Sequence, residues 1–213
     1  MKNIPKVCYM CWVGSQNMPL LTIFTVISFH RFNPDWKIIF YRSIQNSEDI
    51  GKYPYTYNYT GDDYFYMIKE MDFVEIRIID LTKLGLKSDI LNIHTPGLSD
   101  ILRINTLYEN GGAWSDSDII WLKPLDEIVN IDCIGNPNDF ECNVIYYNQT
   151  FGHQTSSFYI AEKGSLYLKS IIEEQNKLNP PYDDCAFSTI LFDKMYHTLN
   201  DVISKFPRIL AMK

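Results

Sequence analysis

The chain has 213 residues, of which 19 are basic and 26 acidic, so its net charge is −7, and 46% of its residues are apolar. The acidic balance argues against nucleic acid as a partner, because phosphate contacts need clustered lysine and arginine, and the apolar content is enough for the core of a single domain over residues 1–213. Five cysteines at irregular spacing argue against a disulfide framework and favour a reducing compartment.

The first half of the chain alternates between strand and helix patterns. Residues 6–12 have the pattern of a buried strand, residues 19–30 that of an apolar helix opened by proline, and residues 36–41 that of a second strand. A helix over residues 62–71 and a strand over residues 74–79 follow. This order predicts an α/β fold with a largely parallel sheet flanked by helices.

The second half of the chain is predicted to begin with a helix that opens at Thr95-Pro96 and ends near Asn110, where Gly111 supplies a left-handed residue. The later elements, in chain order, are strands over residues 119–122, 143–147 and 157–161 and helices over residues 165–178 and 185–199. No repeat or low-complexity segment divides these elements, which again favours a single domain.

No stretch of the sequence has the features of a membrane segment. The longest apolar run, residues 20–29, is interrupted by threonine and serine, whereas a spanning helix needs about 20 apolar residues. The first residues lack the apolar region and the cleavage site of a signal peptide. We therefore expect a soluble protein of the cytoplasm or another intracellular compartment, without a membrane anchor.

Two charged residues interrupt the apolar pattern of the helix over residues 96–110. On a helical wheel, Asp100 and Arg103 lie beside Ile104 and Leu107, on a face that otherwise favours burial. Charges in such a setting are usually paired or bound to a ligand. The pattern leaves two alternatives open: an ion pair between residues three apart on the helix, or a ligand-binding site.

The triplet Asp116-Ser117-Asp118 follows the pair Gly111-Gly112 and precedes the strand predicted over residues 119–122. On an extended segment, residues two apart point to the same side, so the two carboxylates can share one divalent cation, which in turn can hold a diphosphate. Mg²⁺ and Mn²⁺ prefer such oxygen ligands. Triplets of this kind are also common in surface turns, and that alternative stays open.

Two motifs together carry a family resemblance. Residues 99–103 have the sequence SDILR and are followed by Gly111-Gly112 and by the DXD triplet at residues 116–118. Near the start, IPK at residues 4–6 is followed by Trp12-Val13-Gly14. In these motifs the chain resembles the DXD-containing glycosyltransferases of family 32 and, more distantly, the catalytic domain of the large clostridial glucosylating toxins.

The resemblance implies a GT-A fold, a Rossmann-like α/β domain that binds a nucleotide sugar. It implies transfer of a hexose or N-acetylhexosamine from a nucleotide diphosphate sugar, with retention at the anomeric carbon and with Mn²⁺ or Mg²⁺ as cofactor. A UDP-sugar is the favoured donor. The acceptor is a glycan, a protein or a small molecule, and the sequence does not distinguish between these classes.

The resemblance also implies roles for individual residues. Trp12 matches the aromatic residue that stacks on the nucleotide base, and Trp114 stands where the family commonly has a tyrosine near the ribose. Asp100 and Arg103 match residues that bind hydroxyl groups of the donor sugar. All four are therefore expected to contact the donor.

The DXD triplet matches the pair that binds the metal and the diphosphate. Asp116 is expected near the ribose, Asp118 is expected to be the direct metal ligand, and Ser117 between them is expected to contact the donor. The residues expected to take part in catalysis are Asp100, Arg103, Asp116 and Asp118.

Two other functions are compatible with a DXD triplet. The first is a module that binds a nucleotide sugar but has lost or weakened transfer activity. The second is a phosphatase of the haloacid dehalogenase type, in which the first aspartate follows a continuous hydrophobic strand and the motif ends in threonine or valine. Residues 112–115 and 119–120 do not fit the phosphatase pattern, so glycosyl transfer is favoured.

Overall fold

The computed structural model describes residues 4–13, 17–43, 59–79, 95–130, 144–148, 154–175 and 203–205. The helix predicted over residues 185–199 lies outside these ranges. None of the described helices is long and apolar enough to span a membrane.

A seven-stranded sheet lies at the centre of the described structure. Its strands in chain order are β1 (Val7–Trp12), β2 (Lys37–Ser43), β3 (Val74–Ile79), β4 (Gly112–Ser115), β5 (Val144–Asn148), β6 (Gln154–Ala161) and β7 (Ile203–Lys205). The spatial order is β3-β2-β1-β4-β6-β5-β7, and only β6 runs antiparallel to its neighbours in this described sheet. The predicted α/β fold with a mostly parallel sheet is confirmed.

Five helices accompany the sheet in the described ranges: α1 (Leu20–Phe32), α2 (Phe65–Lys69), α3 (Thr95–Asn110), α4 (Leu125–Asn130) and α5 (Leu166–Gln175). Neither α4 nor β7 was predicted. The helix predicted over residues 62–71 is shorter in the structure, because the Tyr64 N–H donates to the Met18 carbonyl and the Phe65 N–H donates to Asp63 Oδ1, which hold the residues before Phe65 outside the helix.

Helices cover both faces of the sheet, because successive residues of β1 point to opposite sides. Cys8 and Met10 pack into the core under α1, whereas Tyr9 and Cys11 pack into the core under α3 and α5. Both cysteines are buried free thiols on opposite faces, as their spacing within a strand predicts. The helix–sheet–helix layering is that of a Rossmann-like domain.

The prediction of a strand over residues 119–122 is wrong, because these residues form no strand in the structure. The Trp121 N–H donates to Ser28 Oγ on α1 at 3.1 Å instead of joining a neighbouring strand. The Trp121 ring packs edge-to-face on Phe29, with ring centroids 5.0 Å apart. Ile119 and Trp121 of this segment therefore pack into the core with α1. The strand of this region is β4, which precedes the DXD triplet.

Two glycines form the tight connection from α3 into β4. Gly111 and Gly112 have φ values of 68° and 106°, which side chains disfavour. A Cβ at Gly112 would also lie 2.6 Å from the Val7 carbonyl oxygen. Both positions of the connection therefore require glycine, as predicted for the left-handed Gly111. The connection brings the last turn of α3 directly alongside β4.

Candidate active site

The predicted site residues meet at one edge of the sheet. Strands β1 and β4 are parallel neighbours, with Tyr9 opposite Trp114. Trp12 ends β1, and Asp116 directly follows β4. The carboxyl ends of parallel strands form the usual ligand-binding edge of an α/β sheet. The structure therefore places the predicted base-binding residue and the predicted metal-binding motif on the same edge.

Arg103 lies between two carboxylates. Its Nη1 is 3.0 Å from Oδ1 of Asp100, one turn earlier on α3, and its Nη2 donates to Oδ1 of Asp116 at 2.7 Å. The Arg103 and Asp100 side chains are 3% and 8% exposed and lie in the interior, whereas the Asp116 side chain is 27% exposed, so the network reaches from the interior to the surface. The ion pair that the helical wheel left open is thus present, and it extends to the first aspartate of the DXD triplet.

Trp114 supports the same network from β4. Its ring centroid is 5.5 Å from the Arg103 guanidinium carbon, within cation–π range, and its Nε1 donates to Asp116 Oδ1 at 3.0 Å. The residue is fully buried, so its ring faces Arg103 and Asp116 and offers no surface to a ligand in this conformation. The nucleotide contact expected of Trp114 therefore has no support in the geometry.

The charges in this network shift each other's proton affinity. Burial raises the pKa of Asp116 to about 6, although Arg103 and the Trp114 hydrogen bond act in the opposite direction. Burial by itself lowers the pKa of Arg103, but the attraction of Asp116 and Asp100 more than offsets it, so its pKa is raised. Asp116 is therefore ionised at neutral pH and begins to protonate in mild acid.

Asp118 lies in a different environment. Ser117 and Asp118 form a turn after β4, and the Asp118 side chain is exposed. Of the two geometries that the sequence left open for the triplet, the turn is therefore the one present, and the extended geometry is wrong. The two carboxylates still lie close enough to interact, because the charge of Asp118 contributes to the raised pKa of Asp116. The turn separates a partly buried, protein-bound aspartate from an exposed one.

The acidic pair fits a particular kind of cation. Among the described residues, no group of three or more histidine, cysteine, aspartate or glutamate side chains is placed to hold a metal ion. A closed zinc site needs four such ligands, so the described residues do not fit one. Mg²⁺ needs only one or two carboxylates, because it keeps water and substrate phosphate as further ligands. Asp118 is accessible. Both donors to Asp116 bind the same oxygen, Oδ1, so its second oxygen, Oδ2, is left for a ligand. The donor set thus fits a cation held jointly with a diphosphate.

Two buried nitrogen atoms of Arg103, beside the motif, lack a well-aligned hydrogen-bond acceptor. Nε of Arg103 is buried and makes no hydrogen bond within the described part of the chain, and Nη1 lies 3.0 Å from Asp100 Oδ1 but is not aligned for a hydrogen bond to it. Buried polar groups in folded proteins are nearly always satisfied by protein, water or ligand. These donors therefore mark a place where an oxygen atom from water or substrate would be stabilised.

Two contacts near the predicted site had no signal in the sequence. Arg42, at the end of β2, donates from Nη1 to the Trp12 carbonyl at 3.2 Å and stacks on the Phe65 ring at 5.4 Å. Cys11 Sγ lies 3.3 Å from Oγ of Ser99, so β1 is joined to the start of the SDILR motif. Both contacts connect distant parts of the chain, which motif spacing alone does not indicate.

The strand order and the acidic motif after β4 define a glycosyltransferase of the GT-A fold. A family model described as "Glycosyltransferase sugar-binding region containing DXD motif" matches residues 1–134, and the chain belongs to this family. The predicted family and fold are confirmed. No curated protein matches the chain significantly.

Solved structures with similar folds are also glycosyltransferases. The ligand-free glycosyltransferase domain of the YGT toxin superposes with a TM-score of 0.63 at 9% identity, covering 99% of this chain and 81% of that one. The PaToxG glycosyltransferase gives a TM-score of 0.60 at 17% identity, with 93% and 70% covered. GlyE from Streptococcus pneumoniae TIGR4 gives 0.52 at 12%, with 95% and 45% covered. At these identities the similarity shows a shared fold, and it bears out the expected likeness to toxin glycosyltransferases.

Proposed function

We propose that this glycosyltransferase transfers a hexose or N-acetylhexosamine from a UDP-sugar, with retention and with Mn²⁺ or Mg²⁺ as cofactor. One observation carries the proposal: the DXD triplet follows β4, with Asp116 bound by Arg103 and Asp118 left exposed beside it. The choice of UDP is supported by a fold neighbour at a TM-score of 0.58, the glycosyltransferase domain of the YGT toxin, which was solved with UDP bound.

In this proposal the two halves of the motif have separate tasks. Asp118 would bind the divalent cation directly, and Oδ2 of Asp116 would face the cation or the ribose. When bound, such a cation neutralises the negative charge that develops on the leaving diphosphate. Arg103 would keep the Asp116 carboxylate ionised and oriented, because it donates to Oδ1 at 2.7 Å.

The remaining site residues would hold the rest of the donor. Trp12 ends β1 at the same edge and is partly buried, so its ring would stack on the uracil base. Asp100 would accept hydrogen bonds from sugar hydroxyl groups, and the buried donors of Arg103 would meet a sugar or phosphate oxygen. Ser117 would contribute backbone contacts from the turn.

Retention is proposed to follow a front-face route. The bond between the anomeric carbon and the diphosphate oxygen breaks, and the acceptor oxygen forms its bond on the same face of the sugar. The acceptor proton passes to the departing diphosphate, so no separate protein base is required. Positive charge develops on the sugar ring during this step, as it does in glycoside hydrolysis.

The test is release of UDP from a panel of UDP-sugars, with and without Mn²⁺. Wild-type protein is expected to release UDP only with the metal, and Asp118→Ala is expected to lower the rate on the order of 100-fold, as is typical when one charge-stabilising group is removed. Asp72→Ala is the matched control, because Asp72 is exposed and lies outside the motif.

The outcomes separate the alternatives. Mn²⁺-dependent UDP binding without turnover of any donor would indicate a nucleotide-sugar-binding module. Phosphate release from a generic monoester would indicate a phosphatase. Activity of Asp118→Ala equal to that of the wild type would remove the metal role proposed for this residue.

A further inference from the structure

Helix α1 contacts the segment after β4 through polar side chains that interrupt its apolar sequence. Thr25 Oγ1 donates to the Ser117 carbonyl at 2.9 Å. One turn further along α1, Ser28 Oγ accepts the Trp121 N–H at 3.1 Å. The segment therefore runs beside α1 in the same direction, and its backbone is hydrogen-bonded to the helix before and after Asp118.

The Ser117 carbonyl is the backbone group between the two aspartates of the DXD triplet. Asp116 is already fixed by its side chain, through Arg103 and Trp114. The exposed Asp118 has no comparable side-chain anchor in the described contacts, so its position depends on the backbone of the turn. The hydrogen bond from Thr25 acts on that backbone.

We propose that Thr25 is a positioning residue for the cation-binding turn, an inference that rests on the proposed role of Asp118. Thr25 is fully buried, so it would not touch the donor. It holds the Ser117 carbonyl and thereby sets the direction in which Asp118 leaves the turn. Pre-organisation of this kind favours binding, because less conformational freedom is lost when the ligand arrives.

The hydrogen-bond pattern of Thr25 supports a role outside the helix. Its hydroxyl carries one proton, and two carbonyl oxygens lie within hydrogen-bond distance. They are the Ser117 carbonyl at 2.9 Å and the Leu21 carbonyl of the same helix at 3.2 Å. The intrahelical bond to Leu21 would satisfy the hydroxyl without the turn. The shorter contact is nevertheless the one to Ser117, which favours the hydrogen bond to the turn.

The same helix provides a matched control. Thr22 lies three residues before Thr25 and is also buried, with an exposed fraction of 1%. Its Oγ1 makes no hydrogen bond within the described residues. The change from threonine to valine keeps the shape and removes the hydroxyl, so the two positions differ mainly in whether a contact to the DXD turn is lost.

The experiment compares Thr25→Val, Thr25→Ser and Thr22→Val with the wild type. Mn²⁺ is titrated in the presence of UDP, and free Mn²⁺ is measured by its electron paramagnetic resonance signal. Thr25→Val is expected to raise the Mn²⁺ Kd about fivefold, the effect of one net hydrogen bond. Thr25→Ser keeps the hydroxyl and is expected to restore the wild-type Kd, and Thr22→Val is expected to leave it unchanged.

A structural role for Thr25 would give a different result. In that case Thr25→Val would lower the melting temperature but leave the Mn²⁺ Kd unchanged at a temperature where circular dichroism shows a folded protein. That result overturns the inference, as does an equal loss of affinity in Thr22→Val. If the wild type itself does not bind Mn²⁺ with UDP, the proposed function fails, and the inference fails with it.

Discussion

The two aspartates of the DXD triplet are separated by one residue and lie in opposite environments. Asp116 is joined to a buried arginine and to the indole of Trp114, whereas Asp118 projects from a turn into solvent. The first aspartate belongs to the interior as much as to the site. The second contributes little to the interior and is free to bind a ligand.

This difference separates what a substitution does to stability from what it does to binding. A change at Asp116 or at its partners on α3 and β4 removes a member of a charge network that extends into the interior, and it affects the whole domain. A change at Asp118 removes an accessible carboxylate and should affect binding alone, because exposed substitutions usually change stability by less than about 0.5 kcal/mol. The comparison can be tested at several positions.

The largest effect on stability is expected from Arg103→Met. Removal of the guanidinium leaves Asp100 and Asp116 without their shared cation, and a broken buried ion pair typically costs about 3–5 kcal/mol. Urea denaturation measures the loss. Lys169→Met is the control, because Lys169 forms an exposed pair with Glu173 at 3.8 Å, and we expect a change within about 0.5 kcal/mol.

A result below about 1 kcal/mol for Arg103→Met would contradict the interior role of the network, because exposed ion pairs alone have effects of that size.

A smaller effect is expected from Trp114→Phe. The phenyl ring can still face Arg103, but the hydrogen bond to Asp116 Oδ1 is lost. Trp121→Phe is a matched change, because Trp121 is also buried and donates from Nε1 to Ser115 Oγ at 3.2 Å. We expect each variant to lose about 1–3 kcal/mol of stability, and only Trp114→Phe to weaken Mn²⁺-dependent UDP binding.

Equal binding losses in the two tryptophan variants would show that Asp116 is not specifically oriented by Trp114. Thermal unfolding and calorimetric titration of UDP, measured on the same samples, distinguish these results.

The smallest effect is expected in the pH dependence of stability. The pKa of Asp116 is raised from its ordinary value to about 6, so between these values the folded state binds the proton more tightly than the unfolded state. Stability from this group therefore falls as the pH rises through that window. In Asp116→Asn this contribution is absent, so the wild type should lose stability relative to the variant from pH 4 to pH 7.

Urea denaturation at a series of pH values measures this difference. A wild type that gains stability relative to Asp116→Asn as the pH rises would indicate that the Arg103 pair outweighs burial at this carboxylate.

Much of the fold followed from the sequence, because its signals are local. The apolar run of β1, the helical pattern of α3 and the left-handed Gly111 were each predicted from neighbouring residues. The short α2 was overestimated because Tyr64 gives its N–H to Met18, a contact with a distant loop. Long-range hydrogen bonds of this kind leave no periodic trace in the sequence.

The sequence predicted which residues form the candidate site, but it predicted their spatial arrangement only in part. The SDILR and DXD motifs identified Asp100, Arg103 and Asp116, which the structure brings together. The turn at Asp118 was predicted only as an alternative to an extended segment, and the contact from Thr25 was missed, because it depends on α1 lying against the segment after β4. A threonine within an apolar helix is a weak indication of such a contact, since only one of the two buried threonines of α1, Thr25, reaches the turn.

The central claim is that the exposed half of the motif binds a cation that holds the diphosphate of a sugar donor. The most direct measurement is a crystal structure with Mn²⁺ and UDP, using the anomalous signal of manganese. The account predicts one manganese peak bridging the Asp118 carboxylate and the diphosphate, with Asp116 still bound to Arg103. A UDP molecule bound elsewhere, or a diphosphate beside Asp118 without manganese, would contradict it.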